Sequence, residues 1–257
     1  MVSYRLIDTH AHLDFKDYEE ILDEIIGNAK DVGVDRIIIP GVTLHDIPKI
    51  IEIIEKYDDI YGAVAVHPSE AKSWADEYYD QLKNYASHEK IVAIGETGLD
   101  YYWDKSFIDI QKHAFRQHLK LAQELKLPVI VHDREAHTDV LSILREFPEV
   151  KGVMHCFSGD VDFALECIEI GYYIAVGGAV TFKNAKELKF VAEKVPLEWL
   201  VLETDAPFLA PHPFRGKLNE PAKVRFVAEE IARIKGISPK EVANVTSKNA
   251  DKLFFNI

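Results

Sequence analysis

Eight short runs rich in Val, Ile and Ala recur through the whole chain: Arg5–His10, Arg36–Val42, Ile60–His67, Ile91–Glu96, Pro128–His132, Gly152–Cys156, Tyr172–Val176 and Trp199–Thr204. Longer segments with apolar residues at helical spacing lie between and after them. These include Tyr18–Asp31, Ile47–Lys56, Ile110–Lys126, Ala136–Phe147, Val161–Ile170, Ala185–Val195, Ala222–Lys235 and Pro239–Phe254. Near-continuous apolar strands separated by helices call for a parallel sheet, because each crossover lays a helix over the sheet. Eight such units in 257 residues predict an α/β fold, one closed (β/α)8 barrel in a single domain spanning residues 1–257. The rival is an open doubly wound sheet, which places a glycine-rich phosphate turn after its first strand. Here that strand ends in Asp8-Thr9-His10-Ala11-His12 instead.

Composition narrows the function. With 47% hydrophobic and 28% charged residues the chain is not disordered, and a net charge of −13 argues against a non-specific grip on DNA or an anionic membrane. Two cysteines, Cys156 and Cys167, make no disulfide framework. The N-terminal segment from Met1 to Asp8 lacks a basic stretch followed by an apolar run, so a cytoplasmic protein is expected. Gly171–Val180, the longest weakly polar stretch, is about half the ~20 residues a bilayer span needs.

The ionisable residues are not scattered. His10, His12, His67, His132 and His155 fall at the C-terminal ends of expected strands, Glu96 ends the fourth run, and Asp205 follows the eighth. In a barrel that rim is where side chains from several strands converge. Side chains alternate along a strand, so Asp8, His10 and His12 share one face, as do Glu203 with Asp205 and His132 with Arg134. One histidine at a strand end is more often a satisfied hydrogen-bonder than a ligand. Six metal-capable groups at one rim (His10, His12, Glu96, His132, His155 and Asp205) are another matter, since burying unpaired charges costs several kcal/mol each unless cations offset it. They exceed the needs of one tetrahedral ion and suit two divalent ions with a bridging carboxylate. His45, His88, His113, His118, His137 and His212 lie in expected helices or loops and read as solvated. Cys156 adjoins His155 on the opposite face and reads as packing against the helical layer.

In these motifs the chain resembles the TatD-type metal-dependent deoxyribonucleases, amidohydrolase-like metallo-dependent hydrolases on a TIM barrel. The resemblance spans the chain. It rests on Asp8-Thr9-His10-Ala11-His12-Leu13, Gly95-Glu96-Thr97-Gly98-Leu99-Asp100-Tyr101, Val131-His132-Asp133-Arg134, His155-Cys156-Phe157-Ser158-Gly159, Glu203-Thr204-Asp205-Ala206-Pro207 and Arg215-Gly216-Lys217-Leu218-Asn219-Glu220-Pro221. Thr97 stands where the family often has an apolar residue. The resemblance implies that His10, His12 and Asp205 hold one ion, His132 and His155 a second, and that Glu96 bridges them. It also implies a 3′-to-5′ exonuclease that cleaves DNA phosphodiesters with a metal-activated water. Four imidazoles favour Zn, Mn, Co or Ni, although family members are commonly assayed with Mg.

Asp205, the rim carboxylate not assigned to bridging, is the expected proton acceptor, with Glu96 beside it in the catalytic centre. Asp8 and Glu203 are expected to stand behind the ligands and orient them. Phosphate contacts are expected from Arg215 and Lys217 on the loop after strand eight, aided by Lys183 and Lys186, with His67, Tyr101 and Arg134 also facing substrate. Tyr101, Tyr102, Trp103, Phe157, Phe208 and Phe214 are candidate platforms for unpaired bases of single-stranded or frayed DNA, though loop aromatics more often pack. Asn219 reads first as a helix cap. The alternative activity is ester or amide hydrolysis, such as deacylation of D-aminoacyl-tRNA, and no membrane or obligate protein partner is expected.

Overall fold

The computed structural model describes residues 4–257, so the first three residues of the N-terminal segment read above lie outside it. All eight runs form strands: β1 Leu6–Asp8, β2 Val34–Ile39, β3 Ile60–Val64, β4 Ile91–Asp100, β5 Val129–Arg134, β6 Gly152–Met154, β7 Tyr172–Val176 and β8 Leu200–Leu202. They pair in parallel in chain order. At the C-terminal rim β8 is joined to β1: Thr9 N–H donates to Leu202 O (3.0 Å), Asp205 N–H to His10 O (3.0 Å) and His12 N–H to Ala206 O (2.8 Å). This makes a (β/α)8 TIM barrel that closes where the clustered histidines lie.

The strand pleat sorts the core into two layers. Ile7, Ile38, Ala63, Ala93, Ile130, Val153, Ala175 and Val201, one from each strand, form a cluster that fills the barrel. Their neighbours Leu6, Ile37, Ile39, Val64, Ile94, Val129, Met154, Ile174 and Leu202 point the other way, into the apolar layer under the helices. Ala250, Leu253 and Phe254 join the inner cluster near the C-terminus. There Asp251 accepts from Arg36 Nη1 at 2.8 Å and also pairs with Arg5.

Nine α-helices are described: α1 Leu22–Asp31, α2 Ile47–Lys56, α3 Glu77–Tyr85, α4 Ile108–Leu125, α5 His137–Arg145, α6 Val161–Glu169, α7 Lys186–Lys194, α8 Val224–Lys235 and α9 Pro239–Ala250. Helix α3 escapes the sequence reading because it buries only Leu82, too little for a recognisable apolar stripe. Among the described residues no helix is long and apolar enough to cross a membrane.

His118 on α4 corrects the expectation of a solvated side chain. It is fully buried, Nδ1 donating to Ala114 O (2.7 Å) and Nε2 accepting from Val66 N–H (3.0 Å), so it is held as one neutral tautomer at the end of β3. Burial lowers its pKa to about 4. The unfolded chain, with His118 near 6.5, therefore takes up a proton that the folded chain refuses, and stability is lost as pH falls from 6.5 towards 4. Over that range wild-type protein should lose about 3 kcal/mol more unfolding free energy than His118→Gln. Chemical denaturation at the two pH values checks this, and equal losses would contradict it.

Candidate metal centre

The rim is shaped by a local irregularity in β4. Gly95 pairs with Ile130 and Thr97 with Val131, so Glu96 is an extra residue, and the slip turns its carboxylate inward. Pairing then resumes to Asp100, four residues beyond the expected end of the strand. Gly98 makes that approach feasible: its φ is +142°, and a Cβ there would sit 2.0 Å from His132 O.

Glu96 is buried, and its two oxygens face different histidines. Oε2 lies 3.3 Å from His10 Nε2. Oε1 lies 2.7 Å from His132 Nδ1, 3.3 Å from His67 Nε2 and 3.7 Å from His155 Nε2. His10 and His12 bring their Nε2 atoms to 3.3 Å of each other, and Asp205 Oδ1 stands 3.8 and 3.6 Å from them. The His155 ring stacks on His10 at 3.4 Å between centroids. Of the six expected ligands, His10, His132 and His155 thus meet around the Glu96 carboxylate, and His12 and Asp205 join through His10. His67, read as a substrate contact, lies within the same cluster, 3.3 Å from His132 Nδ1.

Outer partners hold the rings. Glu203 Oε2 accepts from His155 Nδ1 (2.9 Å), which leaves Nε2 turned to the centre. Asp100, which the sequence reading missed, accepts from His132 Nε2 (3.0 Å) and leaves Nδ1 turned inward. Its signal was the continuation of β4, hidden because Gly95 and Gly98 look like the end of a strand. Asp8 does not share a face with His10 and His12, because β1 stops at Asp8 and the alternation stops with it. Instead it accepts from Thr204 N–H and Oγ1 (2.9 and 2.6 Å) and from His10 N–H, bracing the joint between β1 and β8. Burial lifts its pKa to about 8. Cys156 is a second correction. It has a φ of +43°, which breaks the alternation; its N–H donates to Glu203 Oε1 (2.8 Å), and its sulfur joins His155 and Asp205 instead of the helical layer.

Burial would push the Glu96 and Asp205 carboxyls up, but the surrounding imidazoles outweigh it. His155, His67 and His10 hold Glu96 well below the usual range, and His12, His155 and His10 hold Asp205 below it. Burial lowers His132 and His155, yet carboxylates dominate: Asp100 and Glu96 raise His132 to about 9, and Glu203 and Glu96 raise His155 to about 10. His10 and His67, where burial prevails, are shifted the other way, below the usual imidazole range. Atoms sharing an ion at ~2.0–2.2 Å stand about 3.0–3.6 Å apart, which is the spacing of most contacts above. The groups His10–His12–Glu96 and His67–Glu96–His132 each offer donor atoms within 4.8 Å of one another, so the residues present fit divalent cations.

The comparisons agree with this geometry. A model described as TatD related DNase matches residues 7–255. The chain belongs to the TatD family. It is 48% identical over 251 residues to the uncharacterized metal-dependent hydrolase YabD of Bacillus subtilis, covering 97% of this chain and 98% of the relative. It is 40% identical over 254 residues to YcfH of Escherichia coli, also named an uncharacterized metal-dependent hydrolase, covering 97% and 95%. The crystal structure of the TatD homologue YjjV of E. coli superposes with a TM-score of 0.92 at 32% identity, covering 98% of both chains. The chain is accordingly a metal-dependent hydrolase of the TatD family.

Around this TatD centre the expected substrate residues separate. Arg215 and Lys217 are exposed on the loop after β8, with the Arg215 guanidinium 4.6 Å from the Phe182 ring centroid, and Lys183 and Lys186 are exposed nearby in sequence. Arg134 is exposed at the end of β5. Tyr101 is half-buried, its hydroxyl donating to Asp139 Oδ2 (2.7 Å). Phe157 is buried against Phe163, and Phe214 packs on Phe226. Phe208 stays exposed beside His12. Asn219 is fully buried and braces the β8 loop, its Nδ2 donating to Thr204 O (2.9 Å) and Phe208 O (2.6 Å), so it is not the cap of α8.

Proposed function

We propose that the protein is a divalent-metal-dependent deoxyribonuclease of 3′–5′ exonuclease type, acting in the cytoplasm on single-stranded or frayed DNA. The observation that carries a two-ion reading is the division of Glu96, one oxygen towards His10 and the other towards His132, His67 and His155. On this reading His10, His12 and Asp205 would hold one cation, His132 and His155 with His67 alongside would hold the other, and Glu96 would serve both. The imidazole-rich donor set suits Zn, Mn, Co or Ni better than Mg. When bound, such ions acidify water and stabilise charge on phosphoryl oxygens.

The chain's own residues do the rest. Asp205, kept ionised among three histidines, accepts the proton of the attacking water. Glu203 and Asp100 keep the His155 and His132 rings in one tautomer. Arg215, Lys217 and Arg134 meet phosphate oxygens at the rim. A phosphodiester substrate is supported by these cations on an otherwise acidic protein and by the family's own description. If Arg215 grips phosphate, Arg215→Ala should raise KM for DNA more than it lowers kcat, and the loss should shrink as salt rises. Lys217→Ala should do less, since a flexible ammonium lacks the two-pronged fork. Steady-state kinetics at two salt concentrations check both. The test of substrate class is metal-loaded protein with 5′-labelled single-stranded DNA beside a D-aminoacyl-tRNA. Shortening of the DNA supports the proposal, and release of the amino acid alone would move the reaction to a carbonyl.

A further inference from the structure

Two aromatic rings at the rim are left in solvent by a segment that is otherwise tightly held. Tyr102 is 49% and Trp103 71% exposed, and their rings meet edge to face at 4.8 Å. The Arg134 guanidinium lies over both, 4.2 Å from the Tyr102 centroid and 5.8 Å from that of Trp103. The backbone beneath is fixed: Tyr101 N–H donates to Arg134 O (2.9 Å), and Asp100 Oδ1 accepts from Tyr102 N–H (2.9 Å) and Trp103 N–H (3.2 Å). The other oxygen of that carboxylate accepts from His132 Nε2 at 3.0 Å. One side chain therefore ties the aromatic pair to a histidine of the metal centre.

Resting on the nuclease reading above, we propose that Tyr102, Trp103 and Arg134 receive the unpaired base next to the cleaved phosphodiester, and that this surface selects single strands. An exposed ring held rigid stacks a base with little ordering cost and without regard to its identity. A base in a duplex is already stacked and paired, and must leave both partners to reach Trp103. Arg134, poised over the rings, adds charge for the adjoining phosphate. Asp100 carries the register, since it fixes both the platform and His132. Glu135, next to Arg134, faces Lys105 at 3.8 Å, so its charge is partly offset.

The test compares kcat/KM for oligothymidylate with that for a blunt duplex, in metal-loaded wild type, Trp103→Ala and Trp103→Phe. The ratio should fall about 5- to 150-fold in Trp103→Ala, equivalent to ~1–3 kcal/mol for one stacked base at 1.4 kcal/mol per decade. The loss should lie in KM for the single strand, and Trp103→Phe should restore most of it. A second readout uses phosphorothioate-linked oligothymidylate, which resists cleavage. Of the three tryptophans Trp103 is the exposed one, so this strand should quench wild-type fluorescence but not that of Trp103→Ala. If wild type cleaves DNA and Trp103→Ala keeps the same ratio and quenching, the platform is wrong and the nuclease reading stands. If wild type with bound metal neither binds nor cleaves the strand, both fall.

Discussion

Glu96→Ala should yield a folded protein that has lost both bound metal and hydrolysis. The carboxylate is the one side chain in contact with every histidine of the centre except His12, so its removal leaves each half of the donor set incomplete. If bound ions supply several kcal/mol of transition-state stabilisation, a loss of ~4 kcal/mol is about a 10³-fold fall in kcat/KM. His132 and His155 would each lose one of the carboxylates that raise their pKa, Asp100 and Glu203 remaining, so competition between protons and cations should shift as well. Elemental analysis after dialysis, beside turnover of single-stranded DNA, checks the result. A Glu96→Ala protein with wild-type metal content would remove the bridging role. Glu96→Gln, nearly isosteric, guards against a packing artefact, and circular dichroism confirms the fold.

Asp205→Asn should keep the shape of the centre and remove its basicity, lowering kcat by about 10²–10⁴ with little change in KM. The alternative base is Glu203, but both its oxygens are engaged, one by the His155 Nδ1 proton and the other by Cys156 N–H. Asp205 Oδ1, in contrast, faces the Nε2 atoms of His10, His12 and His155. Glu203→Gln should therefore disturb His155 and metal binding more than proton transfer. Metal content measured with kcat separates the two effects. If Asp205→Asn turns over at the wild-type rate with full metal, the base is elsewhere; a dead Glu203→Gln with full metal would exchange the roles.

The barrel was legible because each strand carries its own apolar run, and β1, β3, β4, β5, β6 and β8 each bring a residue to the centre. Period-two reasoning failed where the backbone departs from a plain strand. The slip at Glu96 made β4 run on to Asp100, so that carboxylate went unread. The end of β1 at Asp8 and the positive φ of Cys156 put those two side chains on faces that alternation did not predict. His118 was misread for a different cause: a helix face buried by β3 looks in sequence like any other, and its partner Val66 lies 52 residues away. His67 could be placed at the rim but not against Glu96 without the register between β3 and β4.

A single titration joins the metal centre to the chemistry. Chelated protein is supplied with Mn²⁺ in steps, and bound metal and cleavage of 5′-labelled single-stranded DNA are read from the same samples. Two ions shared across Glu96 require activity to rise with the second equivalent and level off near two per chain. Full activity in the chelated protein, or saturation at one ion with no further gain, would contradict that arrangement.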